Sequence, residues 1–121
     1  MGQTSSIEPV SDGNGGALRV RLLHVGGLAL ITAGGQVDVN TSELLTGCGA
    51  LALARRPHRV SVDLSDVTFF SAAGIHALLD LQRAAAAATA DFRLRAPSLP
   101  VLLALSAAGV ASAFRMDTSK T

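Results

Sequence analysis

The sequence predicts one α/β domain built on a mostly parallel sheet. Short apolar segments of β type alternate with longer segments of helical periodicity. A Gly26-Gly27 pair between two apolar runs signals one hairpin, which gives the sheet an antiparallel edge. The 121 residues, 49% of them hydrophobic, suffice for one core without disulfides or metal. Aromatic residues make up only 3%, so that core must consist of Leu, Val, Ile and Ala.

Residues 1–17 are polar and rich in Gly and Ser, and read as a flexible leader. Leu18 to Val25 reads as a strand, with Leu18, Val20 and Leu22 alternating with Arg19, Arg21 and Leu23. Leu28 to Thr32 resumes after the hairpin turn. Asn40 or Thr41 then caps a helix, and Asn40 with Glu43 has the spacing of a capping box. Leu44, Cys48, Leu51 and Ala52 share one stripe of that helix, which Gly47 and Gly49 weaken. Arg55-Arg56-Pro57 ends it.

His58 to Leu64 reads as the third strand, with Val60, Val62 and Leu64 on one face. A tight connection leads to a helix from about Ala72 to Ala88, with Ile75, Leu78 and Leu79 as its apolar stripe. Asp91 to Ala96 is a fourth strand. Ser98 caps a third helix that Ala108-Gly109 stops, and Ala111 to Met116 is a short final strand or extended tail. The folded domain is expected over 18–117, followed by a flexible tail, 118–121.

Ten basic and nine acidic residues leave a net charge of +1, which argues against a nucleic-acid footprint. The single Cys48 excludes an intrachain disulfide and a cysteine-based zinc cluster; its place on an apolar stripe marks a core residue. His24, His58 and His76 fall on different elements without ligand spacing, so no metal or cofactor is expected. The N-terminus lacks signal-peptide character. The most apolar stretch, Leu99 to Phe114, is broken by Pro100, Ser106, Gly109 and Ser112 and is too short to span a membrane. A soluble cytoplasmic protein is the expectation. No catalytic constellation is visible: Ser71 and His76 on one helix do not face each other well, and Gly34-Gly35 is too short to cradle a phosphate.

The most informative stretch runs from Val60 to Leu79, where a buried strand passes into a helix through Phe70-Ser71-Ala72-Ala73-Gly74. A helix N-terminus offers unpaired N–H groups and partial positive charge. Together with Gly34-Gly35-Gln36-Val37-Asp38-Val39-Asn40 and Ser98 through Val110, this stretch resembles the STAS family, which includes the anti-sigma factor antagonists. The resemblance covers about Leu18 to Met116. It implies a STAS fold: a mostly parallel sheet of four to five strands with an antiparallel edge strand, packed with three to four helices.

The resemblance also implies a function. In the antagonists the signature helix opens with Asp-Ser-Ser-Gly or Asp-Ser-Ala-Gly, and an anti-sigma factor that is also a serine kinase phosphorylates the first Ser. The unphosphorylated antagonist binds the anti-sigma factor and frees a sigma factor; phosphorylation breaks the complex. Here Ser71 stands in the Asp position, Ala72 in that of the phosphorylated Ser, and Gly74 in that of the motif Gly. Ala72 has no hydroxyl to accept phosphate. The expected function is an anti-sigma factor antagonist without the usual off-switch. Its partner surface would comprise Asp38, Ser71, Ala72, Ala73, Gly74, His76 and Asp80.

Each of these residues also has a plain structural reading. Ser71 reads first as an N-cap, and second as a displaced phosphoacceptor. Thr68, a nearby hydroxyl, reads as a strand-end residue. Asp38 either assists kinase recognition or closes an Asx turn before Asn40. Gly74 allows close approach of a partner or packs on the sheet. His76, Asp80 and Arg83 form a contact face or a solvated one. The alternatives in function are a non-phosphorylated accessory subunit of an ABC lipid-transport system and a sensor module. An enzyme ranks last, and the expected oligomeric state is a monomer or a weak dimer through an edge strand.

Overall fold

The computed structural model describes residues 3–11 and 17–118, with side chains from Leu18 onward. Its elements run β1 (Gln3–Ser11), β2 (Ala17–Val25), β3 (Leu28–Val37), α1 (Ser42–Ala54), β4 (Arg59–Phe70), α2 (Ala72–Ala87), β5 (Asp91–Arg95), α3 (Leu99–Ala107), a 3-10 turn (Ala111–Ala113) and β6 (Arg115–Met116). One sheet holds the strands in chain order, β1-β2-β3-β4-β5-β6. β1, β2 and β3 pair antiparallel; β3 to β6 pair parallel. The turn of the β2–β3 hairpin is made by Gly26, whose φ of +59° suits glycine.

The parallel strands advance steadily in one direction, so right-handed crossovers place all three helices on the same face of the sheet. That face is the core. Leu18, Val20 and Leu22 of β2, Ala29, Ile31 and Ala33 of β3, Val60, Val62 and Leu64 of β4, and Phe92 and Leu94 of β5 are buried there. Leu45, Cys48 and Ala52 of α1, Ala77, Leu78 and Leu81 of α2, and Val101 and Leu105 of α3 close over them.

The structure corrects several expectations. Gln3–Ser11, read as part of the leader, forms β1 on the outer edge of β2. Backbone pairing along an open edge needs no apolar periodicity, so a Ser-rich segment can supply it. With β1 added at its antiparallel edge, the expected mixed sheet counts six strands. Ala17, also read as leader, begins β2, while residues 1–2, 12–16 and 119–121 lie outside the described residues.

β4 continues six residues beyond Leu64, to Phe70. Two shifts of register against β3, at Thr32/Gly34 and Gly35/Gln36, carry the pairing through. Asp63 Oδ1 supports the bend by accepting from Ser65 N (2.9 Å) and Ser65 Oγ (2.7 Å). In α1, Thr41 is the N-cap residue, which puts the Asn40–Glu43 box out of register. The buried face of α1 is Leu45, Cys48, Gly49 and Ala52, while Leu51 is exposed. Gly49 explains the rotation: a Cβ there would collide with the Leu81 side chain, so this glycine lets α1 and α2 approach closely. On α2, Leu78 is buried as expected, but Ala77 and Leu81 complete the core stripe. Ile75 and Leu79 pack at its margin.

Candidate functional site

The sheet brings two chain segments together at the C-terminal ends of β3 and β4. Val37 and Phe70 are register partners, and Ser71 N donates to Val37 O at 3.0 Å. The turn at 38–41 therefore lies beside the start of α2. Of the expected residues, Asp38 and the run Ser71-Ala72-Ala73-Gly74 meet here.

Ser71 is the whole connection between β4 and α2. Its backbone is extended (φ −97°, ψ −179°) and its Oγ accepts from Ala73 N at 3.2 Å, as an N-cap does. Ser71 O accepts from Gly74 N (2.9 Å) and Ile75 N (3.2 Å). The hydroxyl thus serves the helix it precedes. Ala72 is exposed and presents a methyl group, Ala73 is half-buried, and Gly74 is buried.

Gly74 is explained by the strand behind it. A Cβ at this position would lie 2.7 Å from Phe70 Cε1. The Phe70 ring fills the space under the first turn of α2 and fixes where that turn sits. Packing on the sheet, rather than conformational freedom, requires glycine here.

Asp38 closes an Asx turn. Its Oδ1 accepts from Asn40 N (2.9 Å) and Thr41 N (3.1 Å). Thr41, fully buried, donates from Oγ1 to Gln36 O (2.8 Å) and accepts from Asp38 N (3.0 Å). Thr68 Oγ1 donates to Gly35 O at 3.2 Å, which makes it a strand-end residue.

His76 and Asp80 lie along the exposed side of α2. Asp80 pairs with Arg83 at 2.7 Å. Both partners are mostly exposed, so the pair adds little stability.

Two residues of the surface escaped the sequence reading. Val39 is 77% exposed and Phe69 50% exposed, in the two segments that the Val37–Ser71 hydrogen bond joins. A signal for Phe69 was present: in a strand one of two adjacent Phe residues must face away from the core. Ala72 itself adds an exposed methyl at the start of α2.

Cys48 is buried, and burial pushes its thiol up to about 11. It is a core residue without thiolate character at neutral pH. Among the described residues, no three His, Cys, Asp or Glu side chains group as metal ligands would. None of the described helices is long and apolar enough to cross a membrane.

This fold and this junction define a class of small α/β domain. A family profile described as "Mlab, STAS domain" matches residues 20–116, and the chain belongs to the STAS family. No curated protein matches the sequence significantly. The fold is similar to that of an anti-sigma factor antagonist from Mycobacterium paratuberculosis (TM-score 0.74, 18% identity, 85% of this chain and 87% of that one). It is also similar to the anti-sigma factor antagonist SpoIIAA in its unphosphorylated form (TM-score 0.70, 18% identity, 84% and 89%). A third likeness is to SLC26A9, with TM-score 0.62 and 19% identity over 74% of this chain but 17% of that one.

Proposed function

We propose that this protein is a non-enzymatic anti-sigma factor antagonist of a bacterial partner-switching pathway in transcription and stress regulation. Its partner is a cytoplasmic anti-sigma factor with serine-kinase activity, and binding frees a sigma factor. The contact surface is the start of α2 with the turn at 38–41: Asp38, Ser71, Ala72, Ala73, Gly74, His76 and Asp80. One observation carries the reading. The family's phosphoacceptor position is an exposed methyl, Ala72, on an otherwise intact helix start. The neighbouring Ser71 hydroxyl is engaged by Ala73 N, which supports a cap rather than a substitute phosphoacceptor. Such a protein binds as a monomer or weak dimer, without cofactor, nucleic acid or membrane, and phosphorylation does not release it.

Native mass spectrometry of the full chain with its host's anti-sigma kinases and ATP tests this. The expected result is a stable complex with no added phosphate, and an Ala72→Ser variant that gains one phosphate and leaves the complex. A wild-type complex lost as one phosphate appears would overturn the constitutive reading. Failure to bind any such kinase would favour a second reading, an accessory subunit of an ABC lipid-transport system. That reading draws on the same missing hydroxyl, for which a permanently seated subunit has no use.

A further inference from the structure

The face of the sheet opposite the helices carries six arginines, on β2, β4, β5 and β6, beside Thr32, Gly34, Asp63 and Asp91. Their register partners place them side by side: Arg19 with Gly34, Arg21 with Thr32, Thr32 with Asp63, and Asp63 with Arg95. Four of the six arginines reach a carboxylate. Arg59 (3.2 Å), Arg93 (2.9 Å) and Arg115 (3.4 Å) converge on Asp91, and Arg95 lies 3.9 Å from Asp63. Arg19 and Arg21 differ: among the described residues neither makes an ion pair. Their two guanidinium groups are held on one face of the sheet, two residues apart.

These two arginines line a concavity of about 150 Å³ together with Thr32, Gly34 and Asp66. Gly34 keeps it open. A Cβ there would lie 3.3 Å from Arg19 Nη2 and 3.3 Å from Asp66 Cβ. The groups around the space are specific in kind: two forked donors suited to phosphate oxygens, a hydroxyl, and one carboxylate that is acceptor-only when ionised. Asp66 repels a bare anion, so an occupant must offer a donor beside its negative charge. The volume is below the range of pockets that enclose drug-sized ligands, roughly 300 Å³ and up.

We propose that Arg19 and Arg21, with Thr32 and Asp66, bind the phosphomonoester of a small polyol phosphate on the sheet face opposite the helices. The two guanidinium groups match the two phosphate charges, and Asp66 accepts from the hydroxyl next to the ester. Binding involves no covalent step. The site is separate from the start of α2 and does not depend on the reading given above.

Amide NMR of the full chain, titrated with glycerol 3-phosphate at constant ionic strength, tests the proposal. Saturable shifts centred on Thr32 and Gly34 are expected, with at least a tenfold loss of affinity in Arg19→Ala/Arg21→Ala. Both arginines are exposed, so the variant should fold. Gly34→Ala gives a second check, because the added methyl enters the concavity against the movable end of Arg19; it should also weaken binding. Sodium sulfate, a dianion without a donor, should bind at least tenfold more weakly. A parallel arm measures cosedimentation with phosphatidylcholine vesicles containing phosphatidylinositol 4-phosphate. Binding to the vesicles alone would assign the same chemistry to a lipid headgroup. Shifts at Ala73 and Gly74 instead, an equal response to sulfate, or no response in either arm would overturn the proposal.

Discussion

The two strand-to-helix junctions at this end of the sheet solve the same problem in opposite ways. Between β3 and α1 the chain spends four residues and satisfies itself with polar groups: Asp38 accepts from Asn40 and Thr41, and buried Thr41 ties Gln36 to Asp38. Between β4 and α2 it spends one residue, Ser71, with a single side-chain bond, and apolar packing of Phe70 under Gly74 does the rest. The first junction is a closed polar knot, held by its own hydrogen bonds. The second leaves the Ala72 methyl facing outward, on a helix start whose position is set by packing. The comparison predicts that the first junction fails through its hydrogen bonds and the second through its shape.

The largest effect is expected at Thr41. Thr41→Val keeps the volume but removes the donor to Gln36 O and the acceptor for Asp38 N, in a fully buried position. Two backbone groups then lose their partners, at a cost of about 2–4 kcal/mol. Urea unfolding measures it as a lower midpoint with an unchanged slope. A cost below about 1 kcal/mol would mean that water replaces the hydroxyl and the knot is not closed.

Gly74→Ala tests the second junction by shape. On propensity alone, Ala in a helix stabilises by about 0.5–1 kcal/mol relative to Gly. Here the new methyl meets the Phe70 ring at 2.7 Å, and forcing a ring aside in a packed core costs about 1–3 kcal/mol. The net expectation is a loss of about 1–2 kcal/mol with displaced amide resonances from Ser71 to Ile75. A stabilised variant would show that Phe70 does not set the position of α2.

The legible part of this molecule was whatever depends on periodicity and local chemistry. The alternating Leu18, Val20, Leu22 and the buried Val60, Val62, Leu64 marked their strands and their core faces. Ser71 before an Ala-rich run marked its cap, and burial of Cys48 followed from its stripe. What escaped depends on partners distant in sequence. β1 exists because β2 offers an edge, which nothing in a Ser-rich segment announces. The last six residues of β4 pair only because β3 shifts register twice to meet them. The stripe of α1 turns from Leu51 toward Leu45 because Leu81, thirty-two residues past Gly49, needs the space at that glycine. At the candidate site the sequence marked the polar and small residues but not exposed Val39 and Phe69, whose exposure depends on how far β3 and β4 extend.

The smallest expected effect is the sharpest test of the comparison. Ser71→Ala removes one cap bond from a half-buried position and should cost about 1 kcal/mol, well below Thr41→Val. Ser71→Asp should recover most of that loss. A carboxylate can accept from Ala73 N in the same way, and its charge lies favourably at the positive end of α2. Both variants change the cap chemistry and leave the Gly74–Phe70 contact alone, so the shape of the start of α2 should persist. Amide resonances beyond Ile75 should therefore stay in place in both. If Ser71→Ala instead cost as much as Thr41→Val, this junction too would depend on hydrogen bonds. Its outward-facing surface would then owe its position to one hydroxyl rather than to the ring beneath it.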